Sequence, residues 1–323
     1  MTRSRLIAMG IMLSTALLSG LPTACSDGTG GPELYVTNLG DGSISVVDIA
    51  SGTVIDTISV GTNPGHIGII PSLQRAYVGD LGESNIHVID TTTRAVVTSI
   101  AISTTSGGGD VDGANEKAYF LDSPGTDMHV IDGTNNTETA TPTIGTNIQD
   151  IRIDPAASRA YVTDFAEGLK IIDLSNNSVI NTIAVASDPH GLAVDSTANI
   201  VYVTQVGGAA VSVVQILPPV GIVDTISVGN TPQWVALNAA RTKAYVTNEG
   251  DGTVSVIDTG TRTVIDTIPV GTNPFFILID PGTDMAYVTN EGSNTVSVID
   301  TTSDTVVNTI TVGNQPIGLA IKL

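Results

Sequence analysis

The chain has 323 residues, 32 acidic against 12 basic for a formal net charge of −20, and it contains a single cysteine. That charge repels phosphate backbones and anionic lipid headgroups, which sets aside nucleic acid and electrostatic membrane binding. One cysteine leaves no disulfide framework and no thiolate metal cluster. At the N-terminus, Thr2-Arg3-Ser4-Arg5 is a positive segment, and Leu6 to Leu21 an apolar one with small residues near its end. This is the pattern of an export signal rather than a membrane span. After Cys25, the tract Ser26-Asp27-Gly28-Thr29-Gly30-Gly31-Pro32 reads as a flexible tether. The expected division is a signal peptide over residues 1–24, a tether over 25–32 and a folded body over 33–323.

The context Leu21-Pro22-Thr23-Ala24-Cys25 resembles a bacterial lipoprotein signal, with Pro22 where such signals carry an aliphatic residue. The resemblance implies a lipidated Cys25 as the first mature residue, and Ser26 behind it implies sorting to the outer membrane. The expected location is therefore extracytoplasmic: an outer-membrane or cell-surface lipoprotein, otherwise a periplasmic or secreted protein. The lipid on Cys25 would be the sole membrane contact.

From Glu33 onward the chain repeats. All seven tyrosines, Tyr35, Tyr77, Tyr119, Tyr161, Tyr202, Tyr245 and Tyr287, fall at one position of a period of 41–43 residues. Each unit holds several short alternating runs rich in Val, Ile, Thr and Tyr, and no window has helical periodicity. Such a period is that of four-stranded propeller blades. The strands of a blade are lettered A to D from the axis outward. B is the Tyr-Val-Thr-Asn run, C ends in aspartate in most units, and D follows. A comes after an Asn-Pro-like break, as in Gly65 to Ile70 or Gln233 to Asn238. Pro142 and Pro269 fall in D stretches, where a missing N–H is tolerable at an edge, so D is outermost. The chain starts with B, C and D, and ends with an A strand from Pro316 to Leu323. Pairing the C-terminal strand with the N-terminal three closes a ring and leaves no inner edge unpaired. The expected fold is an all-β, seven-bladed propeller of four-stranded antiparallel blades.

Tyr-Val-Thr-Asn stands complete at Tyr35 to Asn38, Tyr245 to Asn248 and Tyr287 to Asn290, with Tyr-Val-Thr-Asp at Tyr161 to Asp164. These residues resemble the YVTN β-propeller repeat family, a WD40-like group found in surface-layer and cell-envelope proteins. The resemblance spans the whole body, and it implies the propeller and an extracytoplasmic setting. It implies no fixed catalytic residues.

The repeated residues read as scaffold: tyrosines packed between blades, and Asx residues ending strands B and C as turn caps. Chemistry is expected where blades differ, at the first residues of the A strands around the channel mouth. There stand His66, Gln149, Asp150, His190, Gln233, Trp234, Phe275 and Phe276. The aromatic residues either plug the channel or wall a site with the polar ones as partners. The expected function is a non-enzymatic binding or protein-interaction module, its ligand an unidentified protein, peptide or small molecule. The alternative is a lactonase-like hydrolase or a metal-dependent enzyme at the same mouth, around His66, His190 and Asp150. Two histidines fall short of the three or four ligands a metal wants, and no metal or other cofactor is expected. His87 and His129 read as strand-surface residues. Asp110-Val111-Asp112-Gly113 matches a calcium loop only superficially, its glycine coming too early. Asp110 and Arg152 share a register on adjacent A strands and are expected to form an ion pair between blades.

Overall fold

The computed structural model describes residues 31–323. The leader, Cys25 and most of the tether lie outside the described residues. Among the described residues twenty-eight strands form seven four-stranded antiparallel sheets. Blade 1 joins the last strand, Pro316–Lys322, to Glu33–Asn38, Ser43–Asp48 and Thr53–Ser59, in that order from the axis. The other blades run A, B, C, D in chain order. Pro269 ends the outermost strand of blade 6, Thr263–Pro269. Pro142 lies beyond the D strand of blade 3, which stops at Ala140.

Each blade buries its B and C strands against its neighbours, because alternate Val and Ile side chains face both flanking sheets. Every one of the seven tyrosines is buried. Three of their hydroxyls reach the next blade at the turn after its C strand. Tyr35 donates to the Thr91 carbonyl at 3.2 Å, Tyr77 to that of Gly133 at 3.1 Å and Tyr245 to that of Thr301 at 3.1 Å. The aspartates ending C strands cap their turns, as Asp90 does with the N–H groups of Thr92 and Thr93.

The residues ending the B strands divide into two chemical sets. In blades 1, 5, 6 and 7 a neutral amide donates to a serine on strand C: Asn38 to Ser45, Gln205 to Ser212, Asn248 to Ser255 and Asn290 to Ser297. In blades 2, 3 and 4 the amide is replaced by an aspartate and the serine by a base. Asp80 lies 3.6 Å from His87, Asp122 lies 2.6 Å from His129, and Asp164 stands beside Lys170. His129 also meets Glu138 at 2.5 Å, and Lys170 meets Glu167 at 2.5 Å. His87 and His129 are thus buried partners of acids rather than strand-surface residues. Burial acts to raise the pKa of Asp80, but the adjacent His87 ring and hydrogen bonds from the backbone of Gly82, Asn63 and Thr62 outweigh it and hold it below the usual carboxylate value.

Candidate functional site: the channel

The A strands carry the site, and their upper ends are irregular in a regular way. In blade 6 the pairing of Pro232–Leu237 with Lys243–Asn248 slips between Pro232 and Val235, so Gln233 and Trp234 bulge from the ladder. The same slip recurs in blades 2, 3, 4, 5 and 7. A bulge frees backbone groups that need other partners. The threonine of the Tyr-Val-Thr run supplies them. Thr247 Oγ1 accepts the Trp234 N–H at 3.0 Å and donates to the Phe275 carbonyl of blade 7 at 2.7 Å. Thr204 likewise takes the Gly191 N–H and gives to the Gln233 carbonyl, each at 2.9 Å. Each threonine therefore fixes one bulge and ties it to the next blade.

What the bulges carry meets at the axis. Trp234 of blade 6 lies with its ring centroid 4.9 Å from His66 of blade 2 and 5.0 Å from His190 of blade 5. Phe276 lies 4.8 Å from Trp234 and 5.3 Å from His66, and Phe275 packs on Trp234 and His190. Blades 2 and 6 face each other across the ring, so these contacts close the upper channel. Trp234 is 1% exposed. Burial drives the His66 pKa down to about 3, with the Arg152 charge and His190 adding to it. Burial likewise lowers His190 to about 4, against a hydrogen bond to the Gln233 carbonyl that opposes the change. Both rings are neutral at physiological pH.

Of the expected site residues, His66, His190, Trp234, Phe275 and Phe276 form this single cluster. Gln149 is turned to its own loop, donating to Asn147 Oδ1 at 2.8 Å, and Gln233 donates to Glu249. Asp150 lies beside the cluster without joining it. Its Oδ1 accepts Arg152 Nη1 at 2.8 Å and its Oδ2 accepts the Leu192 N–H of blade 5 at 3.2 Å. Full burial pushes its pKa up to about 7, against the lowering effect of Arg152. The expected Asp110–Arg152 ion pair is not formed. Residues two apart on a strand share a face, and Arg152 takes Asp150 on its own strand. Asp110 instead binds the blade 4 backbone, accepting the Ile153 N–H at 2.7 Å, and burial raises its pKa. Among the described residues no group of three or more His, Cys, Asp or Glu side chains is arranged to hold a metal ion.

Two members of the site had no expected part in it. Phe165, on a B-to-C loop, packs 6.0 Å from His190. The Arg152 guanidinium crosses under the cluster, 5.8 Å from the Trp234 centroid and 5.7 Å from that of Phe276, a cation over aromatic faces. Below it the channel opens into a cavity of about 500 Å³, reaching the face formed by the A-to-B loops near Ala239, Arg241 and Pro281.

Residues 8–322 match the sequence profile of YNCE-like beta-propellers. The chain belongs to the YNCE-like β-propeller family. No curated protein matches this propeller by sequence. Solved structures share the fold at low identity. A chain of Kuenenia stuttgartiensis hydrazine synthase is 14% identical, with TM-score 0.75 over 90% of this chain and 99% of its own. A functionally unknown protein from Desulfotomaculum acetoxidans is 16% identical, with TM-score 0.77 over 90% and 98%. A candidate 6-phosphogluconolactonase from Bacteroides fragilis is 13% identical, with TM-score 0.75 over 92% and 99%. For this YNCE-like propeller such likenesses carry the fold alone.

Proposed function

We propose that this YNCE-like propeller is exported, held in the cell envelope by a lipid on Cys25, and acts there as a non-enzymatic binding module of the surface-layer kind. The observation that carries the non-enzymatic part is the closed channel mouth. A general base must reach a proton on the substrate and needs a pKa near the working pH. His66 and His190 are neutral, packed against Trp234, and their pKa values lie far below that range. Asp150, whose pKa is in range, has one oxygen on Arg152 and the other on a backbone N–H. The leader and Cys25 support export and anchoring.

The test has two arms on the full chain expressed in a Gram-negative host. Mass spectrometry is expected to find acyl groups on the Cys25 form and none on Cys25→Ser. A panel of lactones and esters is expected to show no turnover above buffer. Turnover that disappears in His190→Ala or Asp150→Asn would replace the binding reading with a hydrolase.

A further inference from the structure

The cavity below Arg152 is a second, unassigned site, and its walls are specific. One register of the A strand, two residues beyond the bulge, borders it in every blade. Five blades put Gly68, Ala193, Ala236, Leu278 and Ala320 there, which leaves room and an apolar lining. The two remaining blades are neighbours, and they put Asp110 and Arg152 there. The result is an aliphatic chamber of about 500 Å³ with one carboxylate and one guanidinium at its closed end, a size proper to small-molecule sites.

Both charged groups keep unused hydrogen-bonding capacity. Arg152 commits Nη1 to Asp150 and to the Ile151 carbonyl, while Nη2 and Nε have no partner among the described residues. The Asp110 oxygens accept one backbone N–H each, from Val111 and Ile153, and a carboxylate oxygen takes about two. A simple anion at Arg152 would meet Asp110 as well as the Asp150 that Arg152 already holds, and a simple cation at Asp110 would lie beside Arg152. A dipolar ligand satisfies both. We propose that the lower channel binds a small zwitterion bearing an aliphatic group, its carboxylate on Arg152, its ammonium on Asp110 and its aliphatic part along the Ala193–Ala236 wall.

This rests on the reading that the chain binds its ligand without transforming it. The experiment is isothermal titration calorimetry of the full chain with L-leucine, isovalerate and isopentylamine, which share a branched aliphatic group and differ in charge. Leucine is expected to give a saturable isotherm, and each single-charge compound to bind at least about tenfold more weakly. Ala236→Leu fills the chamber without touching either charge, and the fold tolerates Leu278 at the same register. It is expected to keep the wild-type melting temperature and lose leucine binding. No heat from leucine up to about 10 mM, equal binding of isovalerate or isopentylamine, or binding that survives Ala236→Leu would each overturn the proposal. None of these bears on the non-enzymatic reading, which would fall only if recovered leucine were chemically altered.

Discussion

Asp150 shows how one buried side chain can serve the scaffold while looking catalytic. Its carboxylate joins Arg152 to the Leu192 backbone, and burial raises its pKa from 3.8 to about 7. The folded state then binds a proton that the unfolded state has released between about pH 4 and 7. Stability from this group is therefore highest at low pH and falls as pH rises through that window. His66 and His190, lowered to about 3 and about 4, act with the opposite sign, since the unfolded chain binds their protons first as pH falls below about 6.5. The two effects overlap, so the wild-type curve alone separates neither. Asp150→Asn isolates one of them. Its melting temperature relative to wild type should rise progressively from pH 4 to pH 7.5, as the penalty on the charged carboxylate is removed from the mutant only. A difference that stays constant with pH would show that Asp150 is ionised throughout. The candidate mouth residues were legible as a set, because they are where the repeat stops dictating residue type. Their meaning was not legible. Position at a channel mouth does not say whether side chains converge or splay, and only the contacts show Trp234 seated between His66 from across the ring and His190 of the neighbouring blade.

At the scale of the strand, the bulge and its threonine act as one device. Thr247→Val keeps the shape of the side chain and removes both of its hydrogen bonds, leaving the Trp234 N–H and the Phe275 carbonyl buried without that partner. Losing such partners costs about 1–3 kcal/mol. Urea unfolding should show that loss as a lower midpoint with an unchanged slope, whereas an unchanged midpoint would make the hydroxyl dispensable. Strand identity was plain from alternation and β-branched content. The threonine's role was not, because a threonine in a strand reads as β-propensity, and its second partner lies 28 residues away on another blade. The paired amides and serines are a different case, since their signal is in the sequence. Asn38 and Ser45, Asn248 and Ser255, and Asn290 and Ser297 stand seven apart, as do Asp80 and His87, and Asp122 and His129. Where the first residue is Asp80 or Asp122 the second is a histidine, and Asp164 has Lys170 six residues on, its loop being one residue shorter. Comparing the units two positions at a time, rather than one, places His87 and His129 inside the blades.

The ring as a whole depends on a strand contributed from the far end of the chain. Pro316–Lys322 pairs with Glu33–Asn38 at six positions and packs against the inner strands of blades 2 and 7. Its last residue completes a buried polar knot. Glu33 accepts from Arg94 at 2.7 Å, from Tyr35 at 3.0 Å and from Lys322 at 3.4 Å, which joins both ends of the chain to blade 2. Burial opposes ionisation of Glu33, yet the Arg94 and Tyr35 hydrogen bonds and the Lys322 charge hold its pKa below the usual value. In an open array of repeats, trimming the last strand would cost its own contacts and leave distant units intact. In a closed ring it also bares the inner edge of blade 1 and opens both flanking interfaces, so the loss is shared by every blade. Truncation after Gln315 is therefore expected to yield a protein that associates through the bared strand, seen as higher mass by light scattering. Its unfolding should lose cooperativity in all regions at once, as read by hydrogen exchange on the B strands of blades 4 and 5, opposite the cut. Glu33→Gln removes the charge while keeping the strand, and should lower the melting temperature without changing the mass. Protection of blades 4 and 5 that survives the truncation would mean that the blades hold themselves up singly and that closure contributes only at the seam.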